Sequence, residues 1–286
     1  MTRSVTMPDG RELAYEEYGD PHGVPVLSFH GGLSSRLDAA PTQEAALALG
    51  VRVISPDRPG MGRSTFQPGR RLLDWPDDVA VLTDALEIDR FVVMGWSCGG
   101  PYAAVCGAKM RDRVTAVGLL SSAVPMDLVG TTKGLSRDDR ILLFLVRRAP
   151  WLASALLRIS IADATEARLY REIRRTFPAV DRAALEERGS IVDAVAFVKE
   201  SMRQGTEGCL QDYRVFGDPW GFELGEVAVP VHIWEGSEDH TGPPEYRDLL
   251  LAHLPDAQLS IVPGEGHLSL LQHQARAILT RLTQRS

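Results

Sequence analysis

Phe91-Val92-Val93-Met94 runs directly into Gly95-Trp96-Ser97-Cys98-Gly99, and Pro101 to Ala108 follows as a small-residue stretch compatible with a helix. A short apolar run rich in β-branched residues suits a strand buried on both faces, so the segment reads as strand, sharp turn and helix. Ser97 stands at the apex. A turn this tight holds its apex residue in a strained backbone conformation, and a Cβ at either flanking glycine would collide with the neighbouring strand or helix. The serine hydroxyl is then presented for attack. Gly-x-Ser-x-Gly is a weak pattern alone, so the surrounding chain has to decide.

The flanking sequence continues the same theme. Val5 and Met7, then Asp9-Gly10, then Leu13 and Tyr15 alternate across a turn and predict an opening hairpin. Val24 to Phe29, Val51 to Ser55, Val114 to Leu120, Val229 to Trp234 and Leu259 to Val262 are further short apolar runs. Between them lie helix-compatible segments around Gln43 to Leu49, Asp77 to Leu86, Tyr102 to Met110, Pro244 to Leu254 and Gln272 to Leu282. Strands alternating with helices predict an α/β sheet, mostly parallel. From Pro125 to Trp220 the alternation stops, and apolar residues recur at helical spacing, as in Ile191, Val192, Val195, Val198 and Met202 between a Ser190 N-cap and a Gly205 C-terminal residue. The expected organisation is a core over 1–124, a helical insert over 125–220 and the rest of the core over 221–286.

Composition narrows the function. Of 286 residues, 44% are hydrophobic and 24% charged, enough for one large domain carrying an insertion. A formal net charge of −7 disfavours nucleic acid and anionic membrane as partners, since both need clustered positive charge. A small-molecule substrate is the better expectation. The hydrophobic stretch Ile141 to Ile161 is broken by Arg147, Arg148 and Pro150, so no membrane span is expected. Met1 to Gly10 lacks an apolar leader core, and Cys98, Cys106 and Cys209 have no metal-ligand spacing. Three free thiols suit a reducing cytoplasm, where the protein is expected to reside. The insert holds 13 Arg and 2 Lys against 14 Asp and Glu, which does not single out an ionic substrate class.

A serine hydroxyl is a poor nucleophile at neutral pH and needs a histidine base, usually oriented by a carboxylate. Glu235-Gly236-Ser237-Glu238-Asp239 follows one strand, and Pro263-Gly264-Glu265-Gly266-His267 follows the next. Both fall at the carboxyl ends of strands, the edge of a parallel sheet where ligands bind. Glu235, Glu238 and Asp239 are all candidate acids. Cys98 reads as a small buried side chain rather than a nucleophilic thiol, and His30 as a loop-shaping residue.

With these loops in place, the chain resembles the α/β-hydrolase family across nearly its whole length. Phe29-His30-Gly31-Gly32 matches the family's His-Gly oxyanion loop, and Asp57-Arg58-Pro59-Gly60-Met61-Gly62-Arg63-Ser64 matches its Asp-x-x-Gly-x-Gly-x-Ser signature. The resemblance implies an eight-stranded, mostly parallel sheet flanked by helices, with the insert as a cap after the sixth strand. It implies Ser97 as nucleophile, Asp239 as acid and His267 as base. Cys98 and Gly32 are the expected oxyanion donors, with Leu33 less favoured, while Trp96 and Leu33 are expected to line the pocket. No metal or organic cofactor is expected, because nucleophile and base are both side chains. The implied activity is hydrolysis of a small-molecule carboxylic ester, lactone or thioester through an acyl-enzyme. Carbon–carbon bond hydrolysis, a peptidase and a non-turnover ligand-binding sensor remain alternatives.

Overall fold

The computed structural model describes residues 3–127, 135–162, 165, 167–168, 171, 175, 177–187 and 190–284, with 161–162 and 190–194 described by their backbone. Eight strands are β1 (Arg3–Thr6), β2 (Glu12–Gly19), β3 (Val24–Phe29), β4 (Val51–Pro56), β5 (Phe91–Trp96), β6 (Val114–Leu120), β7 (Val231–Gly236) and β8 (Ala257–Val262). They form one sheet in the order β1-β2-β4-β3-β5-β6-β7-β8. The β1/β2 and β2/β4 pairs are antiparallel and all others parallel, as expected for an α/β-hydrolase sheet.

Alternation along the strands sorts side chains to two faces. Leu27, Phe29 and Val93 face one core with helices α2 (Trp75–Ala85), α3 (Gly100–Lys109) and α9 (Pro244–His253). Val26, Val92 and Met94 face the other, beneath α1 (Gln43–Leu49) and α10 (Ser269–Thr283). Strand order reverses between β3 and β5, where Phe29 lies opposite Gly95. The loops leaving these two strands therefore open side by side at a topological switch point.

Among the described residues, the α-helices between β6 and β7 are α4 (Arg137–Arg148), α5 (Pro150–Ala162), α6 (Ala179–Glu187), α7 (Ser190–Ser201) and α8 (Glu207–Gly217). Val146, Ala153, Leu157, Met202, Cys209 and Leu210 form a third core that takes in Met61 from the loop after β4. The α7 boundaries differ from expectation: Ser190 is inside the helix, and Gly205, at φ +119°, lies four residues past its end. Residues 202–204 turn before that glycine, whose N–H donates to Met202 O. The helix α10 starts three residues before Gln272, for a tertiary reason given below. The strands β5 and β7 each run two residues past their expected ends, Trp96 pairing with Leu120 and Gly236 with Val262. Among the described residues no helix is long and apolar enough to cross a membrane.

Candidate active site

Ser97 has φ +55°, a strained backbone for a non-glycine residue. A single turn of 3-10 helix, Ser97–Gly99, links β5 to α3. A Cβ on Gly95 would strike the backbone of Gly99, and one on Gly99 would strike the carbonyl oxygens of Phe29 and His30. The two glycines thus admit both the tight turn and the close approach of the loop after β3.

His267 follows β8 and Asp239 follows β7, brought together by the β7/β8 register in which Gly236 pairs with Val262. His267 Nδ1 is 2.8 Å from Asp239 Oδ2. Thr241 donates its N–H (2.9 Å) and Oγ1–H (2.6 Å) to Asp239 Oδ1, and its Oγ1 also lies 2.8 Å from His267 Nδ1. Burial would raise the Asp239 carboxyl, but the charge and hydrogen bond of His267, with Thr241, hold it well below the usual carboxylate range. Burial would lower His267, yet Asp239, with a smaller contribution from Asp181, leaves its imidazole above 6.5. The other two acids have different partners. Glu235 lies 3.8 Å from Arg247 and burial pushes its carboxyl up to about 7, while Glu238 accepts from Ser237 at 3.4 Å.

Trp96 adds a tie that the sequence did not disclose. Its Nε1–H donates to His267 O at 3.0 Å, and the two rings are 5.2 Å apart. A Cβ on Gly31 would meet the same indole ring 2.8 Å away. Trp96 therefore contacts both the base loop and the loop after β3.

In that loop, Gly31 N–H donates to Asp38 Oδ2 at 2.9 Å, which leaves Gly32 and Leu33 as the candidate donors. Burial pushes the Asp38 carboxyl up to about 7. Gly32 adjoins Cys98, since a Cβ on it would stand 3.2 Å from the Cys98 sulfur. Leu33 takes φ +50°. His30 Nε2 accepts from Arg58 N–H at 3.2 Å, so Nδ1 carries the proton and donates to Gly31 O at 2.9 Å. Burial, aided by the charge of Arg58, pushes this imidazole well below 6.5, which keeps it neutral. Cys98 is half-buried rather than fully buried, and desolvation pushes its thiol up to about 12, so it is not a thiolate.

The Asp57-to-Ser64 signature has a physical reading. Asp57 is buried and accepts from the N–H groups of Arg36 (2.7 Å) and Arg63 (2.9 Å) and from the Arg36 guanidinium (2.8 Å). A Cβ on Gly62 would fall on that carboxylate, and Gly60 takes φ +81°. Ser64 Oγ donates to Asp57 O at 2.7 Å and closes the loop. Arg58, fully buried, donates to the carbonyl oxygens of His30 and Gly31 and pairs with Asp212 of α8 at 2.6 Å. Arg70 and Tyr102 complete that cluster around Asp212 at 2.5 and 2.8 Å.

Ser97, Cys98, Gly32, His267, Leu33 and Trp96 all line a cavity of about 600 Å3, whose remaining wall includes Phe177, Leu185 and Phe197 from the insert. Asp239 stands behind His267, bonded to its far nitrogen. Asp181, Asp212 and Thr241 were missed in the sequence. The signal for the first two was an acid on an apolar helical stripe, Asp181 with Ala184 and Leu185, and Asp212 with Cys209 and Phe216. Their partners are not local and cannot be read from spacing.

Residues 24–274 match the family described as alpha/beta hydrolase fold. A non-heme chloroperoxidase of Streptomyces lividans is 38% identical over 128 residues, a match covering 44% of this chain and 46% of that protein. The match thus spans about half the length of that relative. The uncharacterized hydrolase YcgS of Bacillus subtilis is 26% identical over 268 residues, covering 93% of this chain and 92% of YcgS. A hydrolase from Pseudomonas aeruginosa superposes with a TM-score of 0.73 at 20% identity, over 99% of this chain and 98% of the other. With a family match over most of its length and the sheet order described above, the chain belongs to the α/β-hydrolase fold family.

Proposed function

We propose that the protein is a serine hydrolase that cleaves a small-molecule carboxylic ester, lactone or thioester through an acyl-enzyme on Ser97. The observation carrying this reading is the 2.8 Å His267–Asp239 contact beside a cavity that Ser97 also lines from a backbone at φ +55°. In this reading Asp239 fixes His267 with its proton on Nδ1, leaving Nε2 as the base. Ser97 Oγ adds to the substrate carbonyl carbon as its proton passes to Nε2. The oxygen that becomes negative is met by the N–H groups of Cys98 and Gly32. Collapse expels the alcohol or thiol, which takes the proton back from Nε2. Water, activated by the same nitrogen, then releases the acid and regenerates Ser97.

The helical insert, residues 125–220, serves in this reading as the cap that shapes the substrate cavity. Its aromatic and aliphatic side chains, Phe177, Leu185 and Phe197, favour a neutral apolar group on the substrate. The three free thiols fit action in the cytoplasm.

The test is intact mass after exposure to a fluorophosphonate probe, which reports an activated serine without knowledge of the substrate. One adduct on the native chain, absent from Ser97→Ala and His267→Ala, is the expected result. A folded native chain that takes no adduct overturns the reading.

A further inference from the structure

We infer that Asp181, a buried carboxylate of the insert, is a positioning residue that holds the loop carrying His267. The inference rests on the reading of His267 as the base.

Asp181 lies on α6 and is fully buried. Oδ2 accepts from His267 N–H at 3.0 Å, and Oδ1 accepts from Leu268 N–H at 3.0 Å and Ser269 N–H at 2.9 Å. The first N–H groups of any helix lack partners within it, and a side chain at the preceding residue normally supplies one. For α10 that residue is Leu268, which has no group able to accept. Asp181 supplies the missing cap from 86 residues away in sequence. This is also why α10 begins at Ser269, earlier than its own sequence suggests. A negative charge at this end further suits the helix dipole.

The loop is built to admit this carboxylate. A Cβ on Gly266 would overlap the Asp181 carboxyl group, so glycine is required beside the base. Gln272 adds a second tie, its Nε2–H donating to Ala184 O at 2.8 Å. His267 is thus gripped from three sides: Asp239 on its ring, Trp96 on its carbonyl and Asp181 on its N–H. Among the described residues, the charges that act on the imidazole are Asp239 from the loop after β7 and, from its place on the backbone of this loop, Asp181 of α6; Glu265 of the same loop is engaged with His273 at 3.0 Å. The insert therefore contributes to the geometry of the base as well as to the wall of the cavity.

Asp181→Asn is nearly isosteric and removes the charge. The expected result is a fall of up to about 10²-fold in the rate of Ser97 modification by the fluorophosphonate probe, the cost of a base displaced by about an ångström. KM for an ester should change little. The His267 imidazole, followed by NMR across pH, should titrate lower in the variant than in the native chain. Native rate and native titration in a folded variant overturn the inference. The titration is independent of turnover, so it tests Asp181 even if the native chain takes no adduct and the hydrolase reading fails. If the variant does not fold, amide hydrogen exchange on the native chain decides: His267, Leu268 and Ser269 should be protected, and fast exchange at all three overturns the inference.

Discussion

Asp212, on α8 of the insert, meets Arg58, on the loop after β4, through three N–H···O contacts of 2.6 to 3.1 Å with both side chains buried. Arg58 in turn donates to the carbonyl oxygens of His30 and Gly31, so a helix of the insert bears on the candidate oxyanion loop through one guanidinium. Burial would raise the Asp212 carboxyl, but Arg58 and Arg70 hold it well below the usual range. Asp212→Ala leaves both cations buried without this partner and is expected to cost about 3–5 kcal/mol. Urea denaturation of the two chains measures it. A loss under about 1 kcal/mol would show that water or relaxation replaces the carboxylate.

Asp239→Asn is expected to lower turnover of an ester by up to about four powers of ten, because the amide favours the wrong tautomer of His267. Glu235→Gln should stay within a few-fold of native, since Glu235 pairs with Arg247 rather than with the histidine. Steady-state rates on a chromogenic ester separate the two variants. The reverse ranking would move the acid role to Glu235.

Much of this arrangement was legible in the sequence because it is local. The Gly95-to-Gly99 turn and the apolar strands each have a physical cause within a few residues, and their chain order fixes which loops share the sheet edge. The Asp57-to-Ser64 loop was legible through the family resemblance, since its Asp57 is held by Arg36 from another loop. The roles of Asp181 and Asp212 were not legible, because each acts on a group supplied by another element; Thr241 bonds locally to Asp239, but its contact with His267 reaches a different loop. The early start of α10 was hidden for the same reason: its cap comes from α6. In the sequence Trp96 reads only as a pocket-lining residue; its bond to His267 O required the fold.

Gly99→Ala tests the turn itself. The new Cβ would strike the carbonyl oxygens of Phe29 and His30, which are backbone and cannot rotate aside. The expected destabilisation is on the order of 3 kcal/mol, with loss of probe labelling at Ser97. Thermal unfolding and labelling of the purified variant report the two effects. Native stability would mean that β3 and the turn separate at little cost.

The His267–Asp239 pair makes activity and stability depend on pH in opposite senses. As a base, His267 must be neutral, and its imidazole lies above 6.5 because Asp239 outweighs burial. Therefore kcat/KM should rise with pH through an apparent value above 6.5, since His267 is the group that must lose a proton. Stability runs the other way. A raised imidazole binds its proton more tightly in the folded chain, so its contribution is full below 6.5 and is lost as pH climbs through the folded value. The lowered Asp239 carboxyl contributes above 3.8, and that contribution is lost as pH falls through its folded value. Between 3.8 and 6.5 the pair stabilises the fold most while the base is protonated and idle. Melting temperatures of the native chain and His267→Gln should differ most in that window and converge above the kinetic value, whereas initial rates should climb across it. An acid limb at or below 6.5, or a melting difference that grows with pH, would mean that Asp239 does not govern the charge of His267.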